Sequence, residues 1–438
     1  MNFQESIDYL YSLGNEVLAM KLGLESTEKL LAALGNPQKN FFKIQVAGTN
    51  GKGSTCAFLD SICREAGIET GLTTSPHLVS ITERVKINGE EISEEKFAET
   101  ATKIRQISEG LVAKGELESV PTFFEQVTAI AISAFAEAKV ELAILETGLG
   151  GRFDSVTATR AEIVAITPID YDHQKILGNT LAEIAAEKAA IIREDTKVFI
   201  ATQKKEAEKV ILGKCLEIGV EPSWTTKDIK IKKNDEESSY SIRSVSFKTE
   251  RGNYPNIVLG LLGNHQIVNA ALAISITETL RDNYHFKITD ENIWIGLETA
   301  HHKGRLEFDG RNGILFDGAH NIAGAQALAE YFDEFVKQPM ILIFGAVREK
   351  DLSDIAKILF PKAENLIFTK ADNLRSMEVE ELMEFLPKGF DKEKVFVGKS
   401  VSEALKLAQE IKEKNDLICV TGSLYLVGEA QRILSQTS

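Results

Sequence analysis

The chain of 438 residues is long enough for two or three domains with substantial cores, and its apolar and charged fractions, 43% and 26%, exclude a chain dominated by disorder. A formal charge of −15 argues against a broad nucleic-acid surface, while leaving room for a local basic pocket that holds anionic small molecules. No apolar run reaches membrane-spanning length, and the opening MNFQESIDYLYSLG lacks the basic start and apolar core of a secretory leader, so the expected location is the cytoplasm, with neither membrane nor nucleic acid as partner.

Residues 1–36 read as a helical preface in which Ile7, Leu10 and Tyr11 share one apolar face and Leu30, Leu31 and Leu34 another. The stretch MKLGLEST between them, with Gly23, is less regular and reads either as packing or as a substrate-facing loop. An apolar strand over 43–47 is then joined to a helix-spaced segment, 54–66, by the glycine-rich VAGTNGKGS of residues 46–54. Gly48, Gly51 and Gly53 let the backbone curl so that N–H groups and the positive end of the helix face an anion. Lys52 adds a full charge where a β- or γ-phosphate would lie, and the Ser54 hydroxyl is placed for phosphate or Mg²⁺. The match to G-x-x-x-x-G-K-[ST] is not literal, because Val46 stands at the first glycine and Gly53 at the hydroxyl. The plainer alternative is a tight strand-to-helix turn with a surface lysine. Cys56 and Cys63 on the following helix, like Cys215 and Cys419, form no C-x-x-C pair and read as buried packing residues in a reducing compartment.

GLTTSPH (71–77) reads as a short strand ending in hydroxyls and a histidine, and ITERVKING (81–89) as a β-like stretch with a charged pair, Glu83 and Arg84, and a turn at Asn88 and Gly89. Helices are expected over 93–115 and over 121–139, the second largely buried with Glu125 near its start. Glu146 ends the apolar strand 140–147 before the turn GLGGR. The strand 161–169 ends in Asp170, Tyr171, Asp172 and His173. Ligands of parallel sheets collect outside the carboxyl ends of strands, so Ser75, Glu146 and His173 aim polar groups at one rim, and Glu146 is a candidate metal ligand. Lys188, in the apolar helix 181–193, either snorkels to solvent or has a specific role. Residues 220–255 turn polar and alternate like antiparallel strands, as a surface β insert would. Helix resumes over 259–279, where Asn264, His265 and Asn269 cluster and capping accounts for Asn264. A boundary near 298–304 precedes a second strand–helix series, with Arg305 before its first strand and Asp317, His320 and Asn321 just after it. The expected fold is α/β with two domains: residues 1–298, a P-loop-type, mostly parallel sheet domain, and residues 299–438, a smaller Rossmann-like α/β domain.

The motifs GTNGKGS, TSPHL, ERVKING, ETGLGGRFDS, DYDH with LGNTLAEIAAEKA, GNHQ with NA, GRLE, DGAHN and TGSLY follow one another as they do in one family. Over essentially its whole length the chain resembles the folylpolyglutamate synthases of the Mur ligase superfamily, in particular the bifunctional branch that is also a dihydrofolate synthase. GTNGKGS is shared across the superfamily, whereas TSPHL, ERVKING and ETGLGGRFDS are more specific to the folate branch. The resemblance implies that L-glutamate is joined through its amino group to a carboxyl of a folate or of 7,8-dihydropteroate. ATP drives the reaction through an acyl phosphate, releasing ADP and phosphate.

By the same resemblance Gly48, Thr49, Asn50, Gly51, Lys52, Gly53 and Ser54 contact ATP, together with Asn264, Arg305, Asp317 and His320. Ser75, Glu146 and His173 hold Mg²⁺, with a second divalent ion or K⁺ as a further option, and Lys52, His173 and Lys188 are the catalytic set. Lys188 matches a lysine that carries a carbamate in related enzymes. Thr122, Phe123, Phe124, Glu125, Phe153, Asp154 and Ser155 match pterin-site positions. The nucleotide is implied to lie between the domains, and the absence of a coiled-coil seam points to a monomer. Lys303 replaces a proline, Ala190 a glycine and Glu349 an aspartate common in the family, and none of these is a proposed ligand. The alternatives are another Mur-type ligase acting on a cell-wall precursor, and a nucleotide-binding switch without ligase chemistry.

Overall fold

The computed structural model describes residues 1–14, 23–237, 243–348 and 352–437. Met20, Lys21 and Leu22 of the MKLGLEST stretch, residues 238–242 of the polar stretch and Glu349 lie outside the described residues. The chain divides into two compact units. The first comprises Met1–Asn234, Ser244–Val258 and Val268–Ala300, and the second Asp235–Arg243, Leu259–Ile267 and His301–Ser438.

The first unit is built on eight strands: β1 (Phe42–Ala47), β2 (Thr70–Thr73), β3 (Lys86–Ile87), β4 (Glu90–Glu91), β5 (Leu142–Glu146), β6 (Ile163–Ile166), β7 (Lys197–Ile200) and β8 (Pro222–Trp224). Their order is β4-β3-β2-β5-β1-β6-β7-β8. From β2 to β8 every pairing is parallel, and only the β2–β3 and β3–β4 pairings are antiparallel. Ile44, Val46, Leu142, Ile144, Leu145 and Ile163 have no exposed surface, as apolar strands covered on both faces require. β1 lies between β5 and β6, so the chain leaves it toward β2 on one side and returns to β6 on the other. Such a reversal opens a crevice at the carboxyl ends of the strands. Register sets the crevice's walls, with Val46 beside Glu146 and Ala47 beside Ile166.

Pro222–Trp224 pairs with β7 at the edge of this sheet. The polar stretch after it forms a three-stranded sheet of β9 (Lys230–Glu237), β10 (Arg243–Lys248) and β11 (Asn253–Ile257), in the order β11-β10-β9. The second unit holds a six-stranded sheet of β12 (Glu307–Asp309), β13 (Ile314–Phe316), β14 (Met340–Phe344), β15 (Asn365–Phe368), β16 (Val395–Val397) and β17 (Leu417–Thr421), ordered β12-β13-β17-β14-β15-β16. The last five strands are parallel, as the alternation with helices predicts, and β12 is an antiparallel edge that the pattern did not reveal.

Four local expectations change, one of them the helix expected over 259–279, which begins at His265 and runs to Tyr284. ITERVKING is not one β stretch: Ile81–Arg84 is a 3₁₀ turn closed by a Ser80–Glu83 capping box, and strand geometry is confined to Lys86–Ile87. Leu10 is fully buried, but Tyr11 is 53% exposed and leaves the shared apolar face. The helix carrying Lys188 ends at Ala189. All four cysteines are free and buried, as packing residues should be.

Candidate active site

β1 ends at Ala47 and the next helix begins at Lys52, so the turn between them reverses in a few residues. Gly48 (φ 147°) and Gly51 (φ 88°) supply the backbone angles that side chains disfavour. A Cβ at Gly48 would overlap the Thr167 hydroxyl, and one at Gly51 the Asn269 amide. Thr49 and Asn50 donate their N–H groups to the Pro168 carbonyl (3.1 and 3.2 Å), and the Thr49 hydroxyl donates to the Asp170 carbonyl and accepts the Asp170 N–H, each at 3.0 Å. The loop is thus stitched to the segment following β6. Anion-facing donors are then those of the helix start at Lys52, where first-turn N–H groups have no acceptor inside the helix. The Lys52 ammonium bridges the carbonyls of Gly48 (3.3 Å) and Thr49 (3.2 Å).

Ser75 follows β2 and donates its backbone N–H to Glu146 Oε2 at 2.9 Å, so the strand ends bring these two candidate ligands together. Glu146 is 6% exposed at the end of β5. His173, after β6, sits in the left-handed region (φ 49°) ahead of the short helix Gln174–Leu177, with its N–H donated to Asp172 Oδ1 at 2.8 Å. A non-glycine residue held there is the kind of strain that collects at functional sites. No three His, Cys, Asp or Glu side chains gather as a cage among the described residues. The Glu146 carboxylate and a serine hydroxyl are the hard oxygen donors that suit a cation keeping water and taking phosphate oxygens, the habit of Mg²⁺, while the His173 imidazole is a softer donor.

Lys188 is 4% exposed, which excludes snorkelling. Its ammonium donates to the Gly48 carbonyl at 2.7 Å, the same oxygen that Lys52 contacts. Burial, then the Lys52 charge, lowers its pKa to about 7, against the opposing pull of Asp172 and Asp154. A lysine so placed is substantially a free amine near neutral pH.

The pterin candidates separate into wall and surface. Thr122 and Glu125 form the capping box of the helix Phe123–Ala138, with Thr122 N–H donating to Glu125 Oε2 at 2.7 Å, and Thr27 donates its hydroxyl to Glu125 Oε1 at 3.3 Å. Phe123 is buried, its ring stacked on Tyr11 with centroids 5.6 Å apart. Asp154 turns inward and accepts N–H groups from Gly148, Leu149 and Val156 (2.9, 2.9 and 3.0 Å). Burial outweighs those bonds and raises its pKa to about 6. Ser155 Oγ lies 2.5 Å from Thr128 Oγ1. Thr122, Phe124 and Phe153 retain exposure, and the Phe124 ring lies against Gly148, the turn that Asp154 braces.

In the second unit Asp317 accepts N–H groups from Leu306 (3.0 Å) and Ala319 (2.9 Å). Burial raises its pKa, with the Arg305 charge opposing. The Arg305 guanidinium lies against Gly318, and His320 Nδ1 donates to the Gly318 carbonyl at 2.7 Å, since a carbonyl only accepts. Asn264 donates its amide N–H to Glu334 at 2.6 Å. Burial, then Arg305, pushes the neighbouring His265 down to about 4. Thr167 and Glu334, which meet the glycine-rich turn and Asn264, carry no local signal beyond their polarity amid apolar helix or strand ends, whereas Asn269, against Gly51, belongs to the cluster that the sequence marks.

The Mur ligase middle domain matches residues 46–277, and the Mur ligase glutamate ligase domain matches residues 304–424. The chain is 36% identical to the dihydrofolate synthase/folylpolyglutamate synthase of Bacillus subtilis (strain 168), over 99% of each chain. It superposes on the structure of Mycobacterium tuberculosis folylpolyglutamate synthase complexed with ADP and AMPPCP with a TM-score of 0.87 at 28% identity, over 98% of each chain. On E. coli FolC in complex with DHPP and ADP the TM-score is 0.86 at 26% identity, over 100% of this chain and 98% of the other.

Proposed function

The chain belongs to the Mur ligases, in the folylpolyglutamate synthase/dihydrofolate synthase branch, and from that premise we propose how its residues join L-glutamate to a folate or to 7,8-dihydropteroate with ATP. The enzyme is an ATP- and Mg²⁺-dependent ligase that forms a C–N bond. The observation that carries this reading is the glutamate ligase domain match on a chain whose first sheet presents the phosphate loop beside Glu146. The names of the full-length relatives favour the folate acceptor over a cell-wall precursor, and ligase over switch.

The acceptor carboxylate attacks the γ-phosphorus of ATP, forming an acyl phosphate and releasing ADP. The glutamate amine then adds to the acyl carbon, and the tetrahedral intermediate expels phosphate. Lys52 and the helix-start amides bind the transferring phosphoryl group and offset its charge. Ser75, Glu146 and His173 would hold Mg²⁺, which supplies charge neutralisation and orientation of the phosphate oxygens. The free amine of Lys188 adds to CO₂ with loss of a proton, giving a carbamate whose negative charge is directed at that metal position. Phe124 and Phe153 offer ring faces to the pterin, while Thr122, Phe123, Glu125, Asp154 and Ser155 shape the wall behind them. Asn264, Arg305, Asp317 and His320 bind the nucleotide. The enzyme works as a cytoplasmic monomer, without membrane or nucleic acid.

The test is product formation with ATP, Mg²⁺ and L-glutamate, comparing 7,8-dihydropteroate with a reduced folate monoglutamate by mass. Products from both acceptors establish the bifunctional reading. Extension of the folate alone leaves a polyglutamate synthase, and product from neither overturns the proposal.

A further inference from the structure

Between β2 and the 3₁₀ turn Ile81–Arg84 the chain runs through residues 75–80 without regular structure, yet it is tied down along its length. At its start, Ser75 N–H is held by Glu146 Oε2. At its end, the Glu83 carboxylate accepts three consecutive backbone N–H groups: Leu78 on Oε2 at 2.8 Å, and Val79 and Ser80 on Oε1 at 2.9 and 3.0 Å. In its middle, Arg84 Nε donates to His77 Nδ1 at 2.7 Å. Arginine only donates, so His77 Nδ1 is the acceptor and the ring proton sits on Nε2, 3.3 Å from the Tyr11 hydroxyl. Glu83 and Arg84 are 8% and 2% exposed. The Arg84 guanidinium also lies 5.4 Å from the centroid of the Phe123 ring, which fixes the plane from which Nε reaches the loop.

A solvated charged pair on a strand would do none of this. A carboxylate that collects three adjacent amides dictates the path of the backbone bearing them. Because the loop is short, that path sets where its first residue stands.

We infer that Glu83 and Arg84 are positioning residues for Ser75: together they fix the 75–80 loop so that the Ser75 hydroxyl is presented beside Glu146. This rests on the reading of Ser75 and Glu146 as metal ligands. Changes to groups that orient ligands cost about 10- to 100-fold in metal affinity, and the same scale is expected here. In Glu83→Gln one oxygen becomes an NH₂ that opposes at least one of the three amides. Arg84→Lys keeps the charge but replaces the fixed Nε donor with a rotating ammonium, so a smaller effect is expected.

The experiment measures Mn²⁺ binding to the full-length protein, with a non-hydrolysable ATP analogue, by electron paramagnetic resonance, beside the Mg²⁺ dependence of the initial rate and the melting temperature. Ser75→Ala is the benchmark, and Asp60→Asn is the control for general destabilisation. Asp60 accepts from Arg64 Nε and the Thr70 hydroxyl in the same unit, and neither partner belongs to the 75–80 loop. Ser75→Ala and Glu83→Gln are both expected to raise the Mn²⁺ Kd about tenfold or more, with the Asp60 variant unchanged and the KM for ATP at saturating metal little altered. If Ser75→Ala leaves the Kd unchanged, the metal-ligand reading itself fails. If Ser75→Ala weakens Mn²⁺ but Glu83→Gln does not, or if Asp60→Asn weakens it equally, the positioning role is overturned. Should Glu83→Gln not fold, Arg84→Lys decides: a Mn²⁺ Kd raised above that of the Asp60 variant supports the role, and a Kd equal to it overturns it.

Discussion

A lysine amine buried 2.7 Å from the Gly48 carbonyl and sharing that oxygen with Lys52 cannot keep its proton as a surface lysine does. With a folded pKa of about 7, below its value of 10.5 in the unfolded chain, the stability linked to Lys188 is complete above the unfolded value and is lost as pH falls through about 7. The same titration governs its nucleophilicity. A ¹³C carbamate signal from ¹³CO₂ is expected to grow as pH rises through about 7 and to vanish in Lys188→Arg, whose charge is permanent; activity should fall with it, by about 100-fold or more. A signal that persists in the arginine variant would place the adduct elsewhere. Asp154 has the opposite sign. Its folded pKa of about 6 exceeds the unfolded 3.8, so wild-type stability declines relative to Asp154→Asn as pH rises from about 4 to about 6, then levels. Denaturant melts across that range read the difference directly. Lysine among apolar neighbours was visible in the sequence, but its depth and its neighbour Lys52 were not, because both depend on a strand and a helix far apart in the chain.

The turn after β1 works because two of its glycines adopt angles and approaches that other residues resist. Gly48→Ala would place a Cβ into the Thr167 hydroxyl, and the resulting shift of the loop is expected to weaken ATP binding about tenfold or more, from about 1–3 kcal/mol of strain. Nucleotide titration beside a circular dichroism melt separates this from unfolding. The helix Phe123–Ala138 depends on its capping box. Thr122→Ala should cost about 0.5–2 kcal/mol and raise the KM for the pterin acceptor, because Phe124, two residues on in the first turn, loses its fixed approach. At this scale the sequence read well wherever one local pattern decided, as in the strand, turn and helix around the phosphate loop. It misread ITERVKING, since β-branched residues there looked like a strand while Glu83 had a stronger use as an amide acceptor for the loop before it. It also assigned Tyr11 to the core, although that ring stacks on Phe123 and stays half open to solvent.

Phosphate release from ATP that requires both L-glutamate and a folate acceptor is the behaviour expected of the whole molecule, and release independent of glutamate would mark a nucleotide hydrolase instead. The residues proposed for such coupling are divided between the units, with Lys52, Ser75, Glu146 and His173 in the first and Arg305, Asp317 and His320 in the second. The two α/β units and their strand series could be read from alternating apolar runs and helical spacing, since period and length are local properties. The glycine-rich turn after β1 and the place of Glu146 at the end of β5 were equally legible, because chain order alone puts them there. Tertiary structure alone decided the rest: the membership of Leu259–Ile267 in the second unit, the antiparallel edge β12, the inward turn of Asp154 and the depressed basicity of Lys188. Each of these is set by which distant groups share a low-dielectric interior, and the pairing of distant groups is not written in any short stretch of sequence.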